Sequence, residues 1–78
     1  MITDSQCRAA RALLAASQQD VADWSGVSKG TIANYERGAR TPFAPNLAAL
    51  RRAFEEHGVV FLDAGEGHGI GVALAVTT

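Results

Sequence analysis

This chain of 78 residues holds one cysteine, two prolines, one tryptophan and, in Lys29, one lysine. Cys7 alone can neither close an internal disulfide nor build a structural zinc site, which asks for several ligating side chains. Such cysteine usage fits a cytoplasmic protein. No stretch approaches the roughly 20 apolar residues needed to span a bilayer, so no membrane role is expected. The opening run from Met1 to Gln6 has neither a basic region nor an apolar one, so it does not read as a secretory leader. Positive charge is also scarce. Seven Lys and Arg stand against eight Asp and Glu, a net charge of −1, whereas nucleic-acid binders usually carry a basic excess. The sum hides an asymmetry: all seven cations fall in residues 1–57, and residues 58–78 carry only Asp63 and Glu66. Local distribution, more than the total, decides what a surface attracts.

Catalytic equipment is missing as well. His57 and His68 stand apart, the first in the last turn of an expected helix and the second among glycines. No nucleophile lies in an arrangement with a base, and no metal-ligand spacing occurs. An enzyme, a metal site and a cofactor are therefore not expected.

What is present falls into two parts. Thr3 to Gln6 has the T-x-x-Q form of a capping box, and an alanine-rich helix is expected to follow as far as Ala16, with Cys7, Ala10 and Leu14 on its inner face. Ser17 and Asp20 open a second helix, which should stop at Ser25-Gly26. Ser28 caps a third, and Gly38 can take the left-handed conformation after it. Pro42 and Pro45 break the "ARTPFAP" loop, and Pro45 suits the first turn of a fourth helix carrying Leu47, Leu50, Ala53 and Phe54 towards Gly58. From there the pattern changes. In "VVFLDAGEGHGIGVALAV" two short apolar runs flank glycines at 65, 67, 69 and 71, which fits two strands joined by a glycine-rich turn. The glycines match neither phosphate-loop pattern, and no helix follows to aim its N-terminus at a phosphate.

The stretch "RAARALLAASQQDVADWSGVSKGTIANYERGARTP" resembles the Xre/Cro/CI helix-turn-helix domain of bacterial and phage repressors. The spacing of Arg11, Leu14, Ser17-Gln18, Val21-Ala22, Gly26-Val27-Ser28, Ile32 and Glu36-Arg37-Gly38 carries the resemblance across residues 7–57 or so. It implies a mainly α fold: a four-helix lambda-repressor-like helix-turn-helix domain over 1–58, followed by a two-stranded β hairpin over 59–78. Elementary packing agrees. Two helices meeting sharply need a small residue near the turn, and Gly26 is placed for it, with Val21, Val27 and Ile32 at the corner and Ala22 allowing close approach. The resemblance implies that Arg11 and Glu36 form a structural ion pair between helices 1 and 3; the alternative is two separate surface charges.

The resemblance also implies a target, a double-stranded DNA operator. Helix 28–37 would lie in the major groove, with Lys29, Gly30 and Asn34 facing base edges. Lysine donates to guanine O6 and N7, and asparagine pairs with adenine N6 and N7. Ser17, Gln18, Ser28, Thr31, Arg37 and Arg40 would hold the DNA backbone, giving register and affinity. Gly30 departs from the pattern by leaving one reading position without a side chain, and only Arg40 adds charge after Gly38.

The tail and Trp24 raise a second reading. Val60, Phe61, Leu62, Ile70, Val72 and Leu74 make strands too apolar to stay bare, so the tail is expected to pair two copies into a homodimer; the alternative is a hairpin folded on its own helices. Trp24 stands where family members often carry a polar residue, either packed on the tail or exposed as an anchor for another protein. The sequence thus points first to a sequence-specific DNA-binding transcriptional regulator, a repressor. The alternative is an antiactivator of the same fold that inhibits another transcription factor by protein contact.

Overall fold

The computed structural model describes residues 1–76; Thr77 and Thr78, the last positions of the expected tail, lie outside the described residues. The order of elements is α1 (Asp4–Leu14), α2 (Gln18–Ser25), α3 (Lys29–Glu36), α4 (Ala44–Glu56), β1 (Val59–Leu62) and β2 (Gly71–Leu74). The protein is mainly α, four helices with one two-stranded antiparallel sheet.

Local chemistry sets the helix starts. The Thr3 hydroxyl accepts the Gln6 N–H while the Gln6 side chain accepts the Thr3 N–H, a complete capping box. Ser17 and Asp20 repeat the arrangement on α2. At α3 the Ser28 hydroxyl accepts the Thr31 N–H. No side chain caps α4, but Pro45 falls in its first turn, where a missing N–H costs nothing.

The first helix ends earlier than its alanines predict. It stops at Leu14, and Ala15 turns left-handed at φ 52° although it is not glycine. The amides of Ala15 and Ala16 bond back to the carbonyls of Ala12 and Arg11, which closes the helix end. The strained turn carries Ala16 inward, where it is 8 % exposed. Left-handed backbone at a residue with a Cβ costs about 1–2 kcal/mol, and burying Ala16 and freeing the Ser17 cap offset that cost.

The core joins both parts of the chain. Cys7, Ala10, Val21, Ile32, Leu50 and Phe54 are fully buried, and Val59 from the first strand is buried with them. Leu14 and Ala22 pack from the margin. Tyr35 is buried too, and its hydroxyl donates to the Ile2 carbonyl at 2.8 Å.

The hairpin lies on its own helices, β1 against α4 and β2 against α1. Its register pairs Val59 with Leu74, Val60 with Ala73, Phe61 with Val72 and Leu62 with Gly71. Directly opposed residues share a face, so Phe61 and Val72 both turn inward and pack against the core. Two of the residues expected to meet a partner are thereby occupied at home. Val60, Leu62, Ile70 and Leu74 stay exposed. Beyond the paired strands the chain reverses at Glu66-Gly67, where Gly65 and His68 form a second small bridge and Gly67 takes φ 82°.

One side chain clasps the hairpin to α1. The Gln6 amide donates to the Gly71 carbonyl at 3.0 Å and to the Leu62 carbonyl at 3.4 Å, while its oxygen stays on the Thr3 N–H. Spacing identified the cap; it gave no sign of the clasp.

Candidate nucleic-acid interface

The turn between α2 and α3 is built by short-range bonds. Gly26 ends α2 in the left-handed region at φ 75°. The Ser25 hydroxyl donates to the Val21 carbonyl at 2.7 Å and accepts the Val27 N–H at 3.1 Å. Val27 plugs the corner at 4 % exposure beside Val21 and Ile32, which are fully buried. The angle between α2 and α3 is therefore fixed by packing.

Behind α3 sits an ionic centre. Glu36 is only 4 % exposed. The Arg11 Nε donates to Glu36 Oε2 at 2.8 Å, and its Nη2 donates to Oε1 at 2.7 Å, a two-pronged contact. Gln18 donates its amide to Oε1 at 3.2 Å, and the Cys7 thiol donates to Oε2 at 3.4 Å. Arg11 also reaches the Ala16 carbonyl, and Arg8 donates to the Glu36 backbone carbonyl. Burial alone would push the Glu36 carboxyl up, but hydrogen bonds from Arg11 and Gln18 and the Arg11 charge hold it below the usual carboxylate range. Burial, with the charge and hydrogen bond of Glu36, pushes the Cys7 thiol up to about 12. Cys7 is thus an inert member of the core, and thiolate chemistry is closed to it.

Gln18, expected on a DNA backbone, has its amide on Glu36 within the protein. A partner 18 positions away leaves no trace in local spacing.

The other face of α3 meets solvent. Lys29 and Gly30 are exposed, Thr31 and Asn34 half-buried, Arg37 and Arg40 exposed. Ser28 spends its hydroxyl on the helix, accepting the Thr31 N–H and donating to the Thr31 hydroxyl at 2.8 Å. Ser17 accepts the Asp20 N–H. A cleft of about 210 Å³ runs beside α3, lined by Thr31, Asn34, Arg40, Thr41, Pro42, Phe43 and Asn46. Across the helix surface, Arg37 donates both Nε and Nη2 to Asn34 Oδ1, at 3.2 and 2.6 Å.

Trp24 rests on the end of α4. Its indole stacks on the His57 imidazole with centroids 3.7 Å apart and planes 17° from parallel, leaving it 37 % exposed. His57 is held in turn by a 2.8 Å hydrogen bond between Nδ1 and the Ala53 carbonyl. The two residues are 33 positions apart, and only the packing of α2 on α4 unites them. Among the described residues no group of three or more His, Cys, Asp or Glu side chains could hold a metal ion, and no helix is long and apolar enough to cross a membrane.

Capped helices, a glycine-cornered turn and a buried ionic centre behind α3 agree with the family to which the chain is similar. The family model described as helix-turn-helix domain matches residues 6–60, more than half of the chain. The chain belongs to the helix-turn-helix domain family, and membership points to a DNA-binding regulator. No match to the chain was found among curated proteins.

Proposed function

We propose that the protein is a sequence-specific transcriptional regulator of the Xre/Cro/CI type, a repressor that lays α3 in the major groove of an operator. The observation that carries this reading is the division of α3. Ile32, Tyr35 and Glu36 are locked into the protein, while Lys29, Thr31, Asn34 and Arg37 turn polar side chains outward around the gap at Gly30. In this reading Lys29 and Asn34 meet base edges near Gly30, and Ser17, Ser28, Thr31 and Arg40 meet phosphates. Arg11, Glu36 and Gln18 hold α3 at the angle the groove requires. One copy offers few cations, so two copies share the task. Their tails pair along the edges that carry Val60, Leu62, Ile70 and Leu74, setting two copies of α3 at half-site spacing.

The test is a titration of duplex DNA across salt concentrations. The DNA-binding reading expects log K to fall linearly with log salt, and Arg40→Ala to flatten the slope by about 0.9, one phosphate. A folded protein with no affinity for duplex DNA even at low salt would overturn it. The second reading, an antiactivator that binds another transcription factor, would then take its place. It is favoured by the net charge of −1 and by the same exposed apolar residues of the tail.

A further inference from the structure

We propose that Phe43 grips the sugar wall of the groove: its ring packs on a deoxyribose beside α3 and gives the protein a hold on duplex DNA that salt does not weaken. The inference rests on the DNA-binding reading above and adds to it a contact made by apolar surface.

The backbone around Phe43 holds its ring outward. Pro42 precedes it, and Pro45 follows in the first turn of α4. The Phe43 carbonyl accepts the N–H groups of Asn46 and Leu47, at 2.9 and 3.1 Å. Phe43 is the N-cap of α4, yet its side chain makes no capping bond and is left to solvent, 80 % exposed. A single apolar residue on a surface needs no explanation by itself. The place of this one gives it meaning. It stands on the cleft of about 210 Å³ that Thr31 and Asn34 of α3 also line.

Geometry then limits what the ring can meet. The major groove is about 12 Å wide, and a helix with its side chains is about 10–12 Å across. With α3 in the groove, little room is left between helix and wall. An element beside α3 therefore meets the wall, which is sugar and phosphate.

The chemistry of the cleft suits that wall. Among the described residues its lining holds one cation, Arg40, and no carboxylate, in a protein whose net charge is −1. Thr31, Thr41 and Asn46 add groups that can donate to phosphate oxygens. Phe43 supplies apolar surface, which has no use against a phosphate and fits the C–H face of a deoxyribose. Each phosphate contact ties affinity to salt through the counterions it releases. Burial of an aromatic ring on a sugar releases none, and its driving force is the apolar area removed from water. A protein with few cations gains affinity this way, and because every nucleotide carries the same sugar, the gain is blind to sequence.

Titrations of random-sequence duplexes, cut short enough to hold one copy, test the proposal across salt concentrations. Phe43→Ala and Phe43→Arg are each checked for folding by circular dichroism, and the short duplex keeps dimerisation out of the measurement. Covering about half of a phenylalanine ring corresponds to an affinity change of about five- to tenfold. Phe43→Ala should weaken binding by that factor at every salt concentration, its line of log K against log salt running parallel to that of wild type. Phe43→Arg should steepen the line by about 0.9, one phosphate. Unchanged affinity in Phe43→Ala, a flattened slope, or a loss confined to duplexes carrying a particular base when the bound fraction is sequenced would each overturn the sugar contact. An unchanged slope in Phe43→Arg would place position 43 away from the wall and overturn it too. A folded wild type with no affinity for duplex DNA overturns the DNA reading, and this inference falls with it.

Discussion

Glu36 carries more of the architecture than any other polar residue. It is buried, and its carboxylate takes donors from Arg11, Gln18 and Cys7. The exposed pairs Arg8–Asp4, at 3.5 Å, and Arg51–Glu55, at 3.2 Å, are of another kind, since ion pairs in water contribute about 0–1 kcal/mol. The two halves of the buried pair are not equivalent. Arg11 keeps 26 % of its side chain in contact with solvent and Glu36 only 4 %. Arg11→Ala strands a buried carboxylate, at a cost of about 3–5 kcal/mol. In a domain this small that lowers Tm by about 10 °C or more. Glu36→Ala strands an arginine that can turn to water, so its loss of Tm should be the smaller of the two. Thermal unfolding followed by circular dichroism measures both, and equal or negligible losses would contradict the asymmetry. Acid should act on the same group. The folded state holds the Glu36 carboxyl below its ordinary 4.5, so the pair's stability is fully present above about pH 4.5 and is lost as pH falls through the lowered value. Glu36→Gln should remove that part of the acid dependence.

At the scale of elements, the hairpin is stable because it is docked. Two strands alone are marginal in water. Here Val59 enters the core, Phe61 meets Phe54 edge-on at 6.1 Å, and Arg51 lies 5.4 Å above the Phe61 ring. The Gln6 clasp fixes the far end, at Leu62 and Gly71. Gln6→Glu keeps an oxygen for the Thr3 N–H but sets a carboxylate against two carbonyls. The hairpin should loosen while the helix-turn-helix stays formed. Hydrogen exchange should therefore quicken at the amides of Gly71–Leu74 and leave those of α3 as they were; uniform quickening would mean that helices and hairpin unfold as one unit. The Trp24–His57 stack joins α2 to the end of α4 in a comparable way. Stacked aromatic pairs contribute about 0.5–1.5 kcal/mol beyond buried area, so His57→Ala should destabilise by about that amount and shift the Trp24 fluorescence to the red as the ring meets water.

For the whole molecule, the proposed homodimer and the basic face of α3 can be separated by two sets of substitutions. Val60→Lys with Leu62→Lys adds charge to exposed positions of β1 and touches neither the core nor α3. Analytical ultracentrifugation should show a shift to monomer, and binding to a two-half-site duplex should drop further than binding to a single half-site. An unchanged sedimentation coefficient would remove the tail from the dimer proposal. Trp24→Gln against Lys29→Ala plus Arg40→Ala, each shown to fold by circular dichroism and then assayed for repression in cells, distinguishes the two functions. Loss in the basic-face variant alone favours DNA; loss in the tryptophan variant alone favours a protein target, because a buried tryptophan anchor contributes about 2 kcal/mol or more to an interface.

The sequence by itself determined what is decided within a few residues. Thr3, Ser17 and Ser28 announce helix starts because a cap satisfies backbone donors two or three positions on, and Gly26 and Gly38 announce ends because they take positive φ easily. The spacing from Arg11 to Gly38 identified the helix-turn-helix, and two short apolar runs around the glycines of the tail identified two strands. The early end of α1 escaped that logic, since nothing in an alanine run tells which residue turns left-handed. Tertiary structure alone decided the partners. Gln6 reaches carbonyls 56 and 65 residues away, and Trp24 finds His57 across α2 and α4. Phe61 and Val72 face inward because the hairpin folds back on α1 and α4, a choice that two apolar runs leave open between a home core and a partner. Asn34 and Arg37 are close in sequence, yet their bond depends on rotamers that the packed back of α3 leaves free. Side chains with several donors or acceptors fit many partners in sequence; the fold selects among them by placing a few within 3 Å or so.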